Sequence, residues 1–385
     1  MNRGVPRSLS RAVGLSAMLA FSTDADAQQA QLSEARFVGA AGCKSSSCHG
    51  GAGEKRSQYL TWTRHDFHAR AYAVLTNARS ARIAEGLGLP AASTSSRCTT
   101  CHSPFQAVAP ARLAPATDPR EGVSCESCHG AAEPWLRGHT RTDWTYATRV
   151  GAGMRDLKSF YVRANTCVAC HQNLDSDIIA AGHPEMVFEL DRQSISQPKH
   201  WRDPPGSGVR AWLVGQAVAL RELSWRLGLN EKAEPQTHAQ WNALAWLLAE
   251  VTAAERLLLP IEAPAAANNA DALRRVQQQA DALARRAAQQ NFGSDFNDRL
   301  LRHLATLDTS FIETADTPRA VLFQRAQRLV LALERLSIAR QGASDAATPS
   351  PELAMLREDL QAPSDFPTAD FSAHLLKFRL SLGTP

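Results

Sequence analysis

Gly122-Val123-Ser124-Cys125-Glu126-Ser127-Cys128-His129-Gly130 is the stretch that decides how this chain is read. A histidine directly follows the second of two closely spaced cysteines. The pattern recurs as Cys98-Thr99-Thr100-Cys101-His102 and Cys167-Val168-Ala169-Cys170-His171, and in widened form as Cys43-Lys44-Ser45-Ser46-Ser47-Cys48-His49. The chain has 8 cysteines, and these motifs use all of them. Paired thiols followed by histidine are the attachment signature of c-type haem: the thiols bond to the porphyrin edge, and the imidazole ligates iron from one face. Zinc ribbons also pair cysteines, but they do not need a histidine after every second one. A redox C-x-x-C would occur once near a βαβ pattern, and none is visible. Structural disulfides suit an exported chain, yet they would not select histidine at four matching positions. The expected cofactors are four covalently bound haem c groups. They would be held by Cys43, Cys48, Cys98, Cys101, Cys125, Cys128, Cys167 and Cys170, with His49, His102, His129 and His171 on iron.

Ahead of the motifs, the N-terminus reads as an export leader. Arg3, Arg7 and Arg11 form a basic region, Ala12 to Phe21 an apolar core, and Ala25-Asp26-Ala27 a run of small residues at cleavage spacing. Residues 1–27 are expected to be removed, leaving a periplasmic protein, which agrees with haem c attachment outside the cytoplasm. No later stretch is long and apolar enough for a transmembrane helix. The formal net charge of +4 is no nucleic-acid footprint, and haem propionates would offset it.

Residues 28–205 are loop-rich, with short helices expected over Gln58–Leu75 and Ser80–Gly86. Such a segment folds if haems take the place of core side chains. After Pro204-Pro205 the pattern changes, and Val209–Leu227, Thr237–Leu259, Ala270–Ala288, Phe296–Leu307 and Arg319–Arg340 read as amphipathic helices. Leu273, Val276, Ala280, Leu283 and Ala287 fall on one stripe, as do Val321, Leu322, Leu329, Val330, Leu333 and Leu336. Residues 206–345 are therefore expected to form a helical bundle, and residues 346–385 a C-terminal tail beyond a hinge at Ala347–Pro351. The expected fold class is mainly α with much irregular structure: a haem-cored multihaem cytochrome c domain followed by an α-helical bundle. Trp212, Trp225, Trp241 and Trp246 lie mostly on core faces of the bundle, with partner docking as the alternative role. His238, His303 and His374 are isolated there and read as surface or helix-end residues.

The sixth position on each iron separates electron transfer from catalysis: a second histidine fills it, while an open position admits a small molecule. His68, His139 and His183 are the leading candidates, followed by His200 and His65. No catalytic residue is assigned.

The stretch Gly39 to Gly50, Trp62 with His68-Ala69-Arg70-Ala71, and the Gly122–Gly130 motif with His139 downstream carry a resemblance, continued by Ile178-Ile179-Ala180-Ala181-Gly182-His183-Pro184 and Pro198-Lys199-His200-Trp201. Over about Phe37 to Trp201 the chain resembles the tetrahaem cytochrome c-554 and c-prime family, related to multihaem proteins of nitrogen-oxide metabolism. The resemblance implies that His68 caps the haem of His129 and His139 that of His49. It further implies a bis-histidine haem at His171, with His183 as the leading partner, and a haem at His102 with no distal histidine. Ser176 stands where related sequences often carry histidine, and His65 and His200 are the candidates for a vacancy. The helical half has no counterpart in the small members of that family.

The expected function is a periplasmic electron carrier between donor and acceptor oxidoreductases, through closely spaced, mostly bis-histidine haems. The alternative is an enzyme acting on nitric oxide, hydroxylamine or nitrite at an open haem. Arg64, Arg70, Arg97 and Arg137 lie near ligand segments, although arginines beside haems commonly pair with propionates. A third expectation is that the helical half docks the haem half onto a larger complex.

Overall fold

The computed structural model describes residues 34–172, 174–204, 206–229, 235–255, 258–262, 269–314, 317–341 and 350–383. The expected leader, Pro205 and most of the expected hinge lie outside them. Short helices set among loops carry the motifs: α1 (Gln58–His65), α2 (Ala71–Val74), α3 (Ala78–Gly86), α4 (Ser96–His102), α5 (Cys125–His129), α6 (Tyr146–Gly151), α7 (Phe160–His171), α8 (Ser176–Ala180) and α9 (Leu190–Ser196). The helical stretch expected over Gln58–Leu75 is divided at Asp66. Its backbone is extended, and its carboxylate accepts the His68 N–H, so it stops α1 and caps a 3-10 turn that leads into α2. Farther on, the Asn77 side chain accepts the Ser80 N–H at 2.9 Å and starts α3 two residues ahead of the expected Ser80.

Each compact motif ends a helix, so α4, α5 and α7 close on His102, His129 and His171. The widened first motif forms turns instead, with Gly50 N–H bonded to the Ser45 carbonyl at 3.0 Å. Among the described residues the only β pairings are isolated bridges, Phe37 with Leu113 and Thr314 with Thr317. The mainly α, partly irregular fold class is therefore what the chain adopts.

The second half contains α10 (Gly208–Leu229), α11 (Pro235–Ala254), α12 (Ala270–Gln289), α13 (Ser294–Ala305) and α14 (Arg319–Gln341). Their apolar periodicity explains them. The α12 stripe Leu273, Val276, Ala280, Leu283 and Ala287 is buried in full, and the Asn269 side chain caps the helix through the Asp271 N–H. α11 ends at Ala254, short of the expected Leu259, where the chain folds back and Ile261 N–H bonds to Thr252 Oγ at 3.2 Å. α10 is buried all round from Ala211 to Leu220 and packs against α7, α9, α11, α12 and α14, as a central helix must.

The stretch from residue 346, expected as a tail, carries α15 (Pro351–Glu358) and α16 (Thr368–Ser381). Phe371, Leu375 and Phe378 of α16 are buried in the same core as α13 and α14, because their spacing places them on one apolar face. That core also takes in Phe160, Ala164 and Val168 of α7 together with Phe188 and Leu190, so it extends into the motif-bearing half. Elsewhere in that half, among the described residues, lies a small cluster of Leu75, Ala84 and Ala92.

Trp212 and Trp241 are core residues, the latter donating its indole N–H to Ser224 Oγ at 2.8 Å, whereas Trp225 is 47% exposed. No helix among the described residues is long and apolar enough to cross a membrane.

Candidate functional site

The four motif histidines each face a histidine from elsewhere in the chain. Ring centroids are 6.1 Å apart for His49 and His139, 6.1 Å for His171 and His68, 6.3 Å for His102 and His183, and 6.4 Å for His129 and His200. A metal–imidazole bond of about 2 Å on each side of one ion, with about 1 Å from nitrogen to ring centre, puts two axial imidazoles about 6 Å apart. The residues present therefore fit a six-coordinate iron at each pair.

The ring nitrogens away from these gaps are tied down. Nδ1 of His139 bonds to the Leu136 carbonyl at 2.6 Å, that of His183 to the Pro184 carbonyl at 2.8 Å, and that of His102 to the Ala71 carbonyl at 3.1 Å. His49 Nδ1 meets Gln58 Oε1 at 3.0 Å, and His68 Nδ1 meets Asp66 Oδ1 at 2.9 Å. Such partners fix ring orientation and tautomer, leaving Nε2 to ligate. Burial holds His129 and His171 down to about 4, and lowers His102 and His200 as well. All four are thus kept in the neutral form that binds metal.

None of the eight cysteines is joined to another in a disulfide. The Cys43 thiol lies beside that of Cys125, and the Cys101 thiol beside that of Cys170. The close neighbour in each pair lowers Cys43 and Cys101 and raises Cys125 and Cys170, with burial adding to the rise. Burial pushes Cys167 up to about 12, with the nearby Cys128 adding to it. The first motif thus lies against the third, the second against the fourth, and the fourth near the third. No group of three or more His, Cys, Asp or Glu gathers to hold a metal ion among the described residues.

Three pairings differ from those implied by the resemblance. His68 faces His171 and not His129, with its ring held at Nδ1 by Asp66. His183 faces His102 and not His171, since the chain turns back after α8 and Arg79 of α3 holds the Gly182 carbonyl through Nη2 at 2.6 Å. The second motif accordingly has a facing histidine. His200 takes the place opposite His129, while His65 is exposed. His139 opposite His49 agrees with the implied pairing. Arg97 is held by Asp175 and Asp177 at 3.2 and 2.7 Å, so its charge is already matched.

Sequence reading missed the residues that brace these sites. Glu126, inside the third motif, is 1% exposed, and its carboxylate accepts N–H groups from Val38, Gly39 and Ala132. It thereby fastens the loop ahead of the first motif to α5. Trp62 donates its indole N–H to the Val123 carbonyl at 3.0 Å, and Val123 N–H returns a bond to the His68 carbonyl at 3.0 Å. Gly122 makes this close approach possible: at φ +80°, an added Cβ would lie 2.6 Å from the His68 oxygen. An Asp two residues before a candidate ligand was a readable signal for Asp66; Glu126 had none, since its partners are distant in sequence.

Four opposed imidazole pairs thus stand among the four cysteine–histidine motifs. Residues 24–130 match the family model described as cytochrome c554 and c-prime. The matched segment contains the first three motifs and His68, so the resemblance is shown over that part of the chain. It supports a c-type cytochrome with covalently bound haem c, engaged in electron transfer or redox chemistry with partner proteins. No curated protein and no solved structure matches the chain.

Proposed function

We propose that this chain is an exported, periplasmic tetrahaem cytochrome c that relays electrons between redox partner proteins, with both axial positions of every iron filled by histidine. The observation that carries the reading is the set of opposed pairs His49–His139, His68–His171, His102–His183 and His129–His200, all at nearly one separation. Each haem, when bound, exchanges one electron through its iron. The chain's part is to attach, orient and insulate. Cysteines of the four motifs provide the thioether links, and the hydrogen-bonded Nδ1 atoms hold the rings in place. Thiol contacts between the first and third motifs, and between the second and fourth, support close spacing of neighbouring groups. The order along the relay is then second, fourth, third, first.

Catalysis on nitric oxide, hydroxylamine or nitrite needs an open axial position. His183 opposite His102 favours the relay instead. The proposed division of the chain is a leader over 1–27, a haem-binding part over 28–205 and a helical part from 206. Mass spectrometry with electron paramagnetic resonance of the mature holoprotein tests the reading. A polypeptide starting at Gln28 with four added haems, all low-spin when oxidised, is expected. A colourless chain of bare polypeptide mass would refute it, and a high-spin signal responding to nitric oxide would restore the enzyme.

A further inference from the structure

We propose that the helical bundle positions the distal haem ligands, acting through α9; this rests on the bis-histidine reading above. α9 is a 7-residue helix lying in the chain between His183 and His200, which face His102 and His129. Just past its C-terminal end, Gln197 donates Nε2–H to Asp66 Oδ2 at 2.9 Å. The other oxygen of that carboxylate holds His68, through Nδ1 at 2.9 Å and the backbone N–H at 3.0 Å. One short helix is thus connected to three of the four distal histidines. His139 has no such link: its ring is held locally by Leu136 and packs edge-on against Trp135.

The N-terminal end of α9 is set into the bundle. Phe188 and Leu190 are fully buried, and Glu189 and Asp191 nearly so. Gly215 of α10 lets Leu190 approach so closely that an added Cβ would lie 2.8 Å from Leu190 Cβ and 2.9 Å from its backbone nitrogen. Charge repeats the theme. Asp191 Oδ2 meets Arg335 Nε of α14 at 3.5 Å, and Glu189 meets Gln216 Nε2 of α10 at 3.4 Å. Arg328 of α14, itself buried, is the main charge opposite Glu189. Buried ion pairs add little net stability because desolvation offsets their attraction, and their best-attested use is to fix one register. Here the register fixed is that of α9 on α10 and α14. Gly215, Asp191 and Arg335 are therefore positioning residues: a shift of α9 moves His183 and His200 through the chain and loosens His68 through Gln197 and Asp66.

The test compares holoprotein variants by electron paramagnetic resonance, haem by haem redox titration and thermal melting. Gly215→Ala, which crowds Leu190, and Arg335→Met are expected to convert low-spin signal to high-spin at up to three sites and to shift their midpoint potentials. The His49–His139 site should stay low-spin with an unchanged potential. Leu304→Ala in α13, a fully buried residue outside the α9 contact, lowers the melting temperature and should leave all spin states alone. If Gly215→Ala yields no holoprotein, Arg335→Lys supplies a milder displacement with the charge kept and should give the same selective shift, smaller in extent. Four unchanged low-spin signals and potentials in every variant that folds would overturn the proposal, as would equal change at His49–His139. Fewer than four bis-histidine sites in the unaltered protein would instead defeat the underlying reading.

Discussion

Single side chains decide whether an iron is closed or open. His200 opposes His129 at 6.4 Å, so His200→Ala should turn one low-spin signal high-spin while the mass of the holoprotein still shows four haems. Loss of a haem from the mass would mean that attachment at Cys125 and Cys128 depends on the distal ring. Glu126 is the residue on which the first and third motifs depend together. Glu126→Gln replaces an acceptor by a donor facing backbone N–H groups and should cost about 1–3 kcal/mol in a denaturant melt of the holoprotein. An unchanged midpoint would show that the loop ahead of Cys43 is held by other bonds. The proposed attachment residues stood out in the sequence because covalent haem chemistry demands neighbouring thiols and imidazole. Glu126 did not, because a carboxylate between two cysteines looks like any solvated charge until the loop it braces arrives.

Helices join the two halves through polar contacts as well as through apolar faces. Asp281 of α12 accepts from Tyr161 of α7 at 2.7 Å, from Arg221 of α10 at 2.8 Å and from Arg285 at 2.7 Å. Burial alone would raise it, but these three donors hold it down to about 2. The folded state thus binds the proton less readily than the unfolded chain, whose carboxyl titrates near 4. The stabilisation is full above that pH and is lost as pH falls through about 2. Asp281→Asn should lower stability by about 1 kcal/mol at pH 7, after solvent screening, and by nothing near pH 2. A deficit that persists at pH 2 would mean that packing, and not charge, is lost. Five bundle helices were readable from periodicity alone. α16 was missed, since Phe371, Leu375 and Phe378 give it an apolar face that only its neighbours α13 and α15 make evident.

Across the whole molecule, one apolar core runs from α7 to α16, and the motif-bearing loops are fastened to it by α9. The junction carries a charge whose titration is displaced. Burial, with Glu189 adding its repulsion, pushes Asp191 up to about 7 against the opposing Arg335. Here the folded state binds the proton more readily than the unfolded chain, so this group lowers stability as pH rises from about 4 to about 7. Denaturant melts over that range should show Asp191→Asn gaining on the unaltered protein with increasing pH. A constant difference would mean that Asp191 stays ionised throughout. Arg328, Arg335 and Arg192 are the cations that face this acidic pair.

By itself the sequence determined the four cysteine–histidine motifs, the mainly helical class and the faces of the long helices. Each is a short-range matter: contiguous residues bond one group, and a 3.6-residue period repeats within one element. Only the tertiary structure decided which histidine meets which. His68 lies opposite His171 and His183 opposite His102 because the Asp66 cap and the Arg79–Gly182 bond turn the chain there. Partners so far apart in sequence are brought together by loop paths and by packing on the bundle, and spacing along the chain carries no record of either.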